Sequence, residues 1–199
     1  MTDPNSKQPA LILASSSPYR RELLQRFHLP FESIRPDIDE SHLENESAAA
    51  LALRLAKDKA RFIAKDHPQA IVIGSDQVLA CDGELLGKPG NHANAVSQLQ
   101  RLSGHTMTFY TALSVVCNAG KQQCSDVVTT EVRFRRLSLS EIEAYLAIEP
   151  AYDCAGSCKA EGLGISLCAS IESEDPTAII GLPLISLRRM LAENGIAVP

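Results

Sequence analysis

The sequence predicts an α/β protein with an elongated mixed β-sheet, flanking helices and two lobes around a cleft. Three observations carry this. Strand-length apolar runs alternate with helical patterns along most of the chain, as in α/β proteins rather than bundles or sandwiches. The pair Asp82-Gly83 is the strongest kind of short hairpin signal. A long second ribbon over 106–136 supplies too much antiparallel pairing for a wholly parallel sheet. With 199 residues, 45% of them hydrophobic, the chain is long enough for one sizeable core or two small lobes, and we read residues 1–199 as one domain.

Taken in order, residues 10–14 form a strand and 18–28 a helix whose Leu23, Leu24 and Phe27 face inward. A loop then carries Asp37, Asp39 and Glu40. The alanine- and leucine-rich stretch 47–66 is the clearest helix, punctuated by His67-Pro68. It projects Arg54, Lys57 and Lys59; the first two read as ordinary exposed charges. The strand 70–73 runs into Gly74-Ser75-Asp76-Gln77-Val78, turns at Asp82-Gly83, and its return strand ends at Gly87-Lys88-Pro89. A helix over 92–102 stops at Gly104, and ribbon strands 106–118 and 124–136 turn at Asn118-Ala119-Gly120. Ser138-x-x-Glu141 is a capping-box pattern opening a helix that ends at Pro150. A polar segment, 153–164, leads to a strand at 165–171. The last helix is opened by Pro183 and closed by Gly195.

Composition excludes several functions. A net charge of −5 disfavours a partner such as a nucleic-acid polymer, although a small anion needs only a local cationic cluster. No apolar run reaches the roughly 20 residues of a membrane helix, and Met1-Thr2-Asp3-Pro4-Asn5 is not a leader, so a soluble cytoplasmic protein is expected. The six cysteines lack the spacing of a disulfide framework, and Cys154-x-x-x-Cys158 has no second ligand pair for zinc.

The chemistry begins at Ala14-Ser15-Ser16-Ser17-Pro18-Tyr19-Arg20-Arg21. A strand here delivers hydroxyls and guanidinium groups to a helix N-terminus, where capped and orphan N–H groups and arginine forks suit phosphate. The same segment also fits a well-capped surface helix with two solvated arginines. Gly83-x-x-x-Gly87-Lys88-Pro89 is one residue too short for a P-loop and ends in proline where a metal-binding hydroxyl is needed. Gly162-x-Gly164 lacks the third glycine of a dinucleotide fingerprint, and there is no nucleophile elbow. What remains is Glu40 and Asp76, in turn-like or strand-end settings, with Lys59, Lys88 and Lys159 available to join Arg20 and Arg21. Cations and a divalent metal offset triphosphate charge, while carboxylates hold that metal and activate water; such oxygen ligands favour magnesium or manganese.

Leu11-Ile12-Leu13-Ala14-Ser15-x-Ser17-Pro18-x-Arg20-Arg21, Asp39-Glu40, Lys59-Ala60, Gly74-x-Asp76-x-Val78, Gly87-Lys88-Pro89 and Ala155-Gly156-x-x-Lys159-x-Glu161-Gly162 together resemble the Maf family of nucleoside triphosphate pyrophosphatases. The resemblance runs in order over nearly the whole chain. It implies a fold similar to the inosine triphosphate pyrophosphatases, a frequent homodimer, and release of diphosphate and a nucleoside monophosphate. Asp76 matches the family's proton acceptor and Glu40 an acid that helps hold Mg2+ or Mn2+. Ser15, Arg20, Arg21, Lys59, Lys88 and Lys159 fall on positions near the phosphates.

Three positions bear on the substrate. The subgroup acting on dTTP and UTP carries arginine, threonine and glutamine where this chain has Tyr19, Gln77 and Glu161. The combination here resembles the subgroup that hydrolyses 7-methyl-GTP. N7 methylation makes guanine cationic, so an aromatic face is worth about 0.5–2 kcal/mol to it. A carboxylate accepting from N1–H and the exocyclic amine adds about 1.5–3 kcal/mol. The reading of Tyr19 as helix packing and Glu161 as a partner of Lys159 stays open. So do three other functions: a dTTP/UTP pyrophosphatase, an inosine or xanthosine triphosphate house-cleaner, and a non-catalytic nucleotide-binding regulator of septum formation. The first expectation keeps modified nucleotides out of nucleic acids, with a role in cell division arrest.

Overall fold

The structure, a computed structural model, describes residues 9–117 and 120–198. Seven strands form one mixed sheet: β1 (Leu11–Leu13), β2 (Glu32–Ser33), β3 (Ile71–Cys81), β4 (Glu84–Leu86), β5 (Thr106–Cys117), β6 (Gln122–Phe134) and β7 (Cys168–Ser173). Their order is β2-β1-β3-β5-β6-β7, with β4 paired to β3. The β2-β1-β3 edge is parallel and the remaining pairs are antiparallel. The helices are α1 (Pro18–Gln25), α2 (Ala48–Ala64), α3 (His92–Leu102), α4 (Leu139–Ile148) and α5 (Leu184–Glu193). No helix among the described residues is long and apolar enough to cross a membrane.

Strand alternation sorts the core into layers. Leu11, Leu13, Ile71 and Ile73 pack with Leu23 and Leu24 of α1 and Leu187 and Leu191 of α5. Ile12 and Val72 point the other way, onto Ala60 and Ile63 of α2. Farther along the same long strands, Leu79, Met107, Phe109, Val132 and Phe134 bury Leu99 and Leu102 of α3 and Ile142 and Leu146 of α4. The cleft is lined from more than one of these groups, by Ala14 and Ile180 and by Phe109, Val132 and Phe134.

Gly74 decides how closely α2 approaches the sheet. A Cβ there would press on the Ala56 carbonyl oxygen and stand 2.8 Å from Ala60 N. The alanines of α2 and this glycine therefore let two backbones meet, and that brings Lys59 to the residue two places beyond Gly74.

Several boundaries depart from expectation. Asp76 is not at a strand end: β3 continues through it, paired with β5 from Val72↔Val116 to Ala80↔Thr108. Its setting is mid-sheet because the ribbon supplies a partner for every residue around it. Helix α1 ends at Gln25, where Arg26, Phe27 and His28 donate i→i−3 bonds and His28 takes φ 54. The final strand begins only at Cys168, since Leu163–Leu167 winds as 3₁₀ turns. Strand β2 is two residues long and carried no sequence signal. Of the turn at 118–120, Asn118 and Ala119 lie outside the described residues, as does Met1-Thr2-Asp3-Pro4-Asn5.

The capping box forms as expected. Ser138 Oγ accepts from Glu141 N, and Glu141 Oε2 accepts from Ser138 N at 2.8 Å while Arg135 pairs with the other oxygen. The Ser138 backbone and side-chain donors, then Arg135, hold the Glu141 carboxyl at about 2, below its ordinary 4.5. A depressed carboxyl contributes stability above its unfolded value and loses it as pH falls through the folded one. Glu141→Gln should therefore lower the thermal midpoint at neutral pH, and the difference should shrink as pH falls from 4.5 towards 2. A pH-independent difference in thermal melts would show that the charge is not the cause.

Candidate active site

A cleft of about 600 Å³ opens beside the β1–α1 corner, with the 35–40 loop and α2 on one side and the 153–161 segment on the other. At its floor Lys59 Nζ stands 2.6 Å from Asp76 Oδ1 and 2.8 Å from Glu40 Oε1. Lys59 and Asp76 are only 6% and 8% exposed, whereas the Glu40 side chain is open to the cleft. A buried ammonium and carboxylate are tolerable because they pair.

Arg20 reaches the same floor from α1. Its Nε donates to the Gly181 carbonyl at 2.8 Å, and Ser75 Oγ donates to that oxygen at 2.9 Å. Gly181 has φ 120, a conformation costly for a side chain, and a Cβ there would approach Arg20 Nε to 3.5 Å. Desolvation pushes the guanidinium below its usual value, and the charges of Asp76 and Glu40 push back. The turn that supplies Gly181 is fastened by Asp175, a buried carboxylate accepting from Thr177 N and Oγ1 and from Ile185 N.

At the start of α1, Ser15 Oγ accepts from Ser17 N and Ser17 Oγ accepts from Arg20 N. Two of the amides offered to an anion by the sequence are thus already satisfied. The Ser15 hydroxyl keeps its proton for an acceptor in the cleft, which it lines.

The other end of the cleft is aromatic and acidic. Tyr19 donates its hydroxyl to Asp153 Oδ2 at 3.0 Å, and Lys159 Nζ lies 5.7 Å from the centre of the tyrosine ring and 3.7 Å from Asp153 Oδ1. Burial, then Cys154 and Asp153, raises the Tyr19 hydroxyl, so it stays a donor. Burial raises Asp153, but the Tyr19 hydrogen bond and Lys159 outweigh it and the carboxyl lies below its usual value. Glu161 is raised, first by desolvation and then by Glu149.

Ser15, Tyr19, Arg20, Glu40, Lys59, Asp76, Gln77, Lys88 and Glu161 all line the cleft. Arg21 does not: it is exposed, one helical step past Arg20. Lys159, grouped with the phosphate ligands, makes its contacts with Tyr19 and Asp153 instead. Gln77 lines the cleft, but its Nε2 lies 2.9 Å from Thr111 Oγ1 and the Ala178 carbonyl and 3.0 Å from the Ile179 carbonyl. Its amide fastens the 178–181 turn. Arg54 is not a free surface charge, being forked onto Glu46. Arg35 and Asp153 line the cleft and were missed. Arg35 had a signal, a cation in the acidic loop before Glu40; Asp153 had none, because its partner Tyr19 is 134 residues away.

The donor set fits a hard divalent cation. Two carboxylates already share one cationic group, and Mg2+ commonly takes one or two carboxylates and completes its shell with substrate phosphates and water. No cluster of three or more His, Cys, Asp or Glu suited to a metal occurs among the described residues, so the protein alone offers no closed cage.

Comparison with known proteins places the chain in a family. Residues 10–194 match the family described as Maf-like protein. A 7-methyl-GTP pyrophosphatase of Albidiferax ferrireducens is 53% identical over 191 residues, covering 96% of both chains. Proteins of the same name from Cupriavidus metallidurans and Bordetella avium are each 55% identical, over 94% of both chains and over 96% and 95% respectively. A solved HAM1 protein from Coxiella burnetii aligns with 65% of this chain and 75% of its own, with a TM-score of 0.45 and 16% identity. With a near full-length family match and relatives above half identical, the chain belongs to the Maf family.

Proposed function

We propose that this protein hydrolyses a nucleoside triphosphate to the monophosphate and diphosphate, with 7-methyl-GTP as the preferred substrate. The observation that carries the reading is Lys59 bridging Asp76 and Glu40 at one end of a cleft whose other end presents Tyr19, Asp153 and Glu161. Relatives more than half identical are named for this activity. The protein is read as cytoplasmic and acting on free nucleotide, and as a homodimer by resemblance.

Arg20, Lys59, Lys88 and the Ser15 hydroxyl offset and orient the phosphates. Asp76 Oδ1 is engaged by Lys59, which leaves Oδ2 to take the proton of the attacking water. Magnesium or manganese held by Glu40 and Asp76 would supply further charge neutralisation on the phosphate oxygens. A methylated base meets the Tyr19 face and two carboxylates. The cation at that end, Lys159, is already neutralised in part by Asp153. The Lys159 charge acts on Glu161 as well.

The test is diphosphate release from 7-methyl-GTP, GTP, ITP, dTTP and UTP with Mg2+. The carboxylate contacts to N1–H and the exocyclic amine are common to both guanine bases, so the ring contribution of about 0.5–2 kcal/mol sets the expected preference in kcat/KM for 7-methyl-GTP over GTP, about two- to thirty-fold. Tyr19→Arg, which sets cation against cation, should remove most of that ratio. Faster cleavage of dTTP and UTP by the wild-type protein would refute the substrate assignment.

A further inference from the structure

Glu40 sits in the loop between β2 and α2, where it pairs with Lys59 Nζ and its charge also acts on Arg20. That contact is the one a bound nucleotide or metal must perturb, so something outside the chemistry has to keep the loop in place. Arg54 lies on α2, five residues before Lys59. Its Nε and Nη2 meet Glu46 Oε1 and Oε2 at 2.7 and 2.8 Å, and Nη2 also donates to the Ser41 carbonyl at 2.8 Å. Ser41 directly follows Glu40.

The loop is closed on itself around this fork. Ser41 N and Oγ donate to Asp39 Oδ1 at 2.9 and 2.6 Å, Leu43 N donates to Glu46 Oε2, and His42 Nε2 lies 2.6 Å from the Glu46 carbonyl. Asp39 and Ser41 thus brace the backbone on both sides of Glu40. The Glu46 side chain is only 9% exposed and that of Arg54 24%. A solvated surface pair contributes little, but a shielded bidentate fork that also takes a backbone carbonyl fixes geometry.

We propose that Arg54 is a positioning residue, clamping Glu46 and the Ser41 carbonyl to α2 so that Glu40 is held at the Lys59–Asp76 cluster as a metal-binding carboxylate. The inference rests on the reading of Glu40 as a metal ligand. Groups that orient a metal's ligands commonly cost about 10–100-fold in metal affinity when removed.

The probe is Mn2+ alone, its binding to the full chain followed by the loss of the free-ion electron paramagnetic resonance signal. Arg54→Gln should weaken Mn2+ about tenfold or more, and should raise the Mn2+ concentration for half-maximal diphosphate release far more than it lowers the rate at saturating Mn2+. Hydrogen exchange should speed up at 39–46 and not in the middle of α2. Arg54→Lys, which keeps the charge but loses the fork, should fall between the two. Glu46→Gln removes the other half of the clamp without altering α2, and carries the same test if Arg54→Gln does not fold. The double variant should bind Mn2+ no more weakly than the worse single one, because both act through one contact.

Wild-type Mn2+ affinity in both Arg54→Gln and Glu46→Gln, with Glu40→Gln weakened, would overturn the clamp alone. Unchanged affinity in Glu40→Gln would overturn the metal reading of Glu40 and the clamp with it.

Discussion

Asp76→Asn is expected to lower diphosphate release about 10²–10⁴-fold, the usual range for loss of a positioned general base, with little change in the thermal midpoint. Asparagine has nearly the same shape and keeps an oxygen where Lys59 Nζ now lies 2.6 Å from Oδ1. The backbone of residue 76 pairs with Ala112 inside a continuous ladder that no side-chain change at this position breaks. Lys59 also retains Glu40 at 2.8 Å, so the buried ammonium is not left without a carboxylate. What disappears is the second oxygen as a proton acceptor, together with the negative charge proposed to help hold the metal. Steady-state diphosphate release and thermal melts on the same preparation separate the two effects. An Asp76→Asn protein of wild-type rate would remove Asp76 from the chemistry, and one that is inactive because it unfolds would make the residue structural.

The second large effect is on the approach of α2. Gly74→Val is expected to cost about 3 kcal/mol or more in urea unfolding, at the upper end of what overpacking costs. The preference of a strand for valine works in the opposite direction, but the whole β-propensity scale spans only about 1 kcal/mol. The atoms in the way are backbone, the Ala56 carbonyl oxygen and Ala60 N, and cannot rotate aside. Either the helix moves or the strand bends, and both carry Lys59 away from Asp76. The protein that remains folded should therefore also lose activity, while Gly74→Ala shows the same two effects in smaller degree. An unchanged urea midpoint for Gly74→Val would mean that α2 is free to shift without cost.

These two residues also mark how far the sequence could be read. The helix over 92–102, the start of the helix after Ser138, the Asp82-Gly83 turn and the Ser138–Glu141 box are set by neighbours within four residues and form where the local pattern puts them, while that second helix ends at Ile148, two residues before Pro150. Of the eleven candidate side chains that the resemblance names, nine line one cleft. The apolar run 70–73 gives way at Gly74 to a polar stretch, which puts Asp76 at a strand end as far as the local pattern goes. The glycine is there for a helix that packs on it from elsewhere in the chain, and the strand passes straight through.

The same limit explains Arg21, Lys159 and Arg54. Adjacent arginines at 20 and 21 look equivalent as letters, but successive residues on a helix point about 100° apart and only one can face the cleft. Lys159 falls by motif among the phosphate ligands, and no local rule shows that its neighbours in space are Tyr19 and Asp153. Arg54 looked solvated because Glu46 lies eight residues earlier, across a loop whose path no local rule describes.

By itself, then, the sequence determined the class of fold and the order of its elements apart from β2, since periodicity, caps and turn chemistry act over a few residues, and its motifs determined the family and nine of the side chains that line the cleft. Only the tertiary structure decided which charges neutralise which, that Tyr19 is bound to Asp153, that Gln77 fastens a turn, and that Lys59 joins Asp76 to Glu40. Those pairings depend on where α2 and the 153–161 segment come to rest against the sheet, and that is set by close packing between residues far apart in the chain.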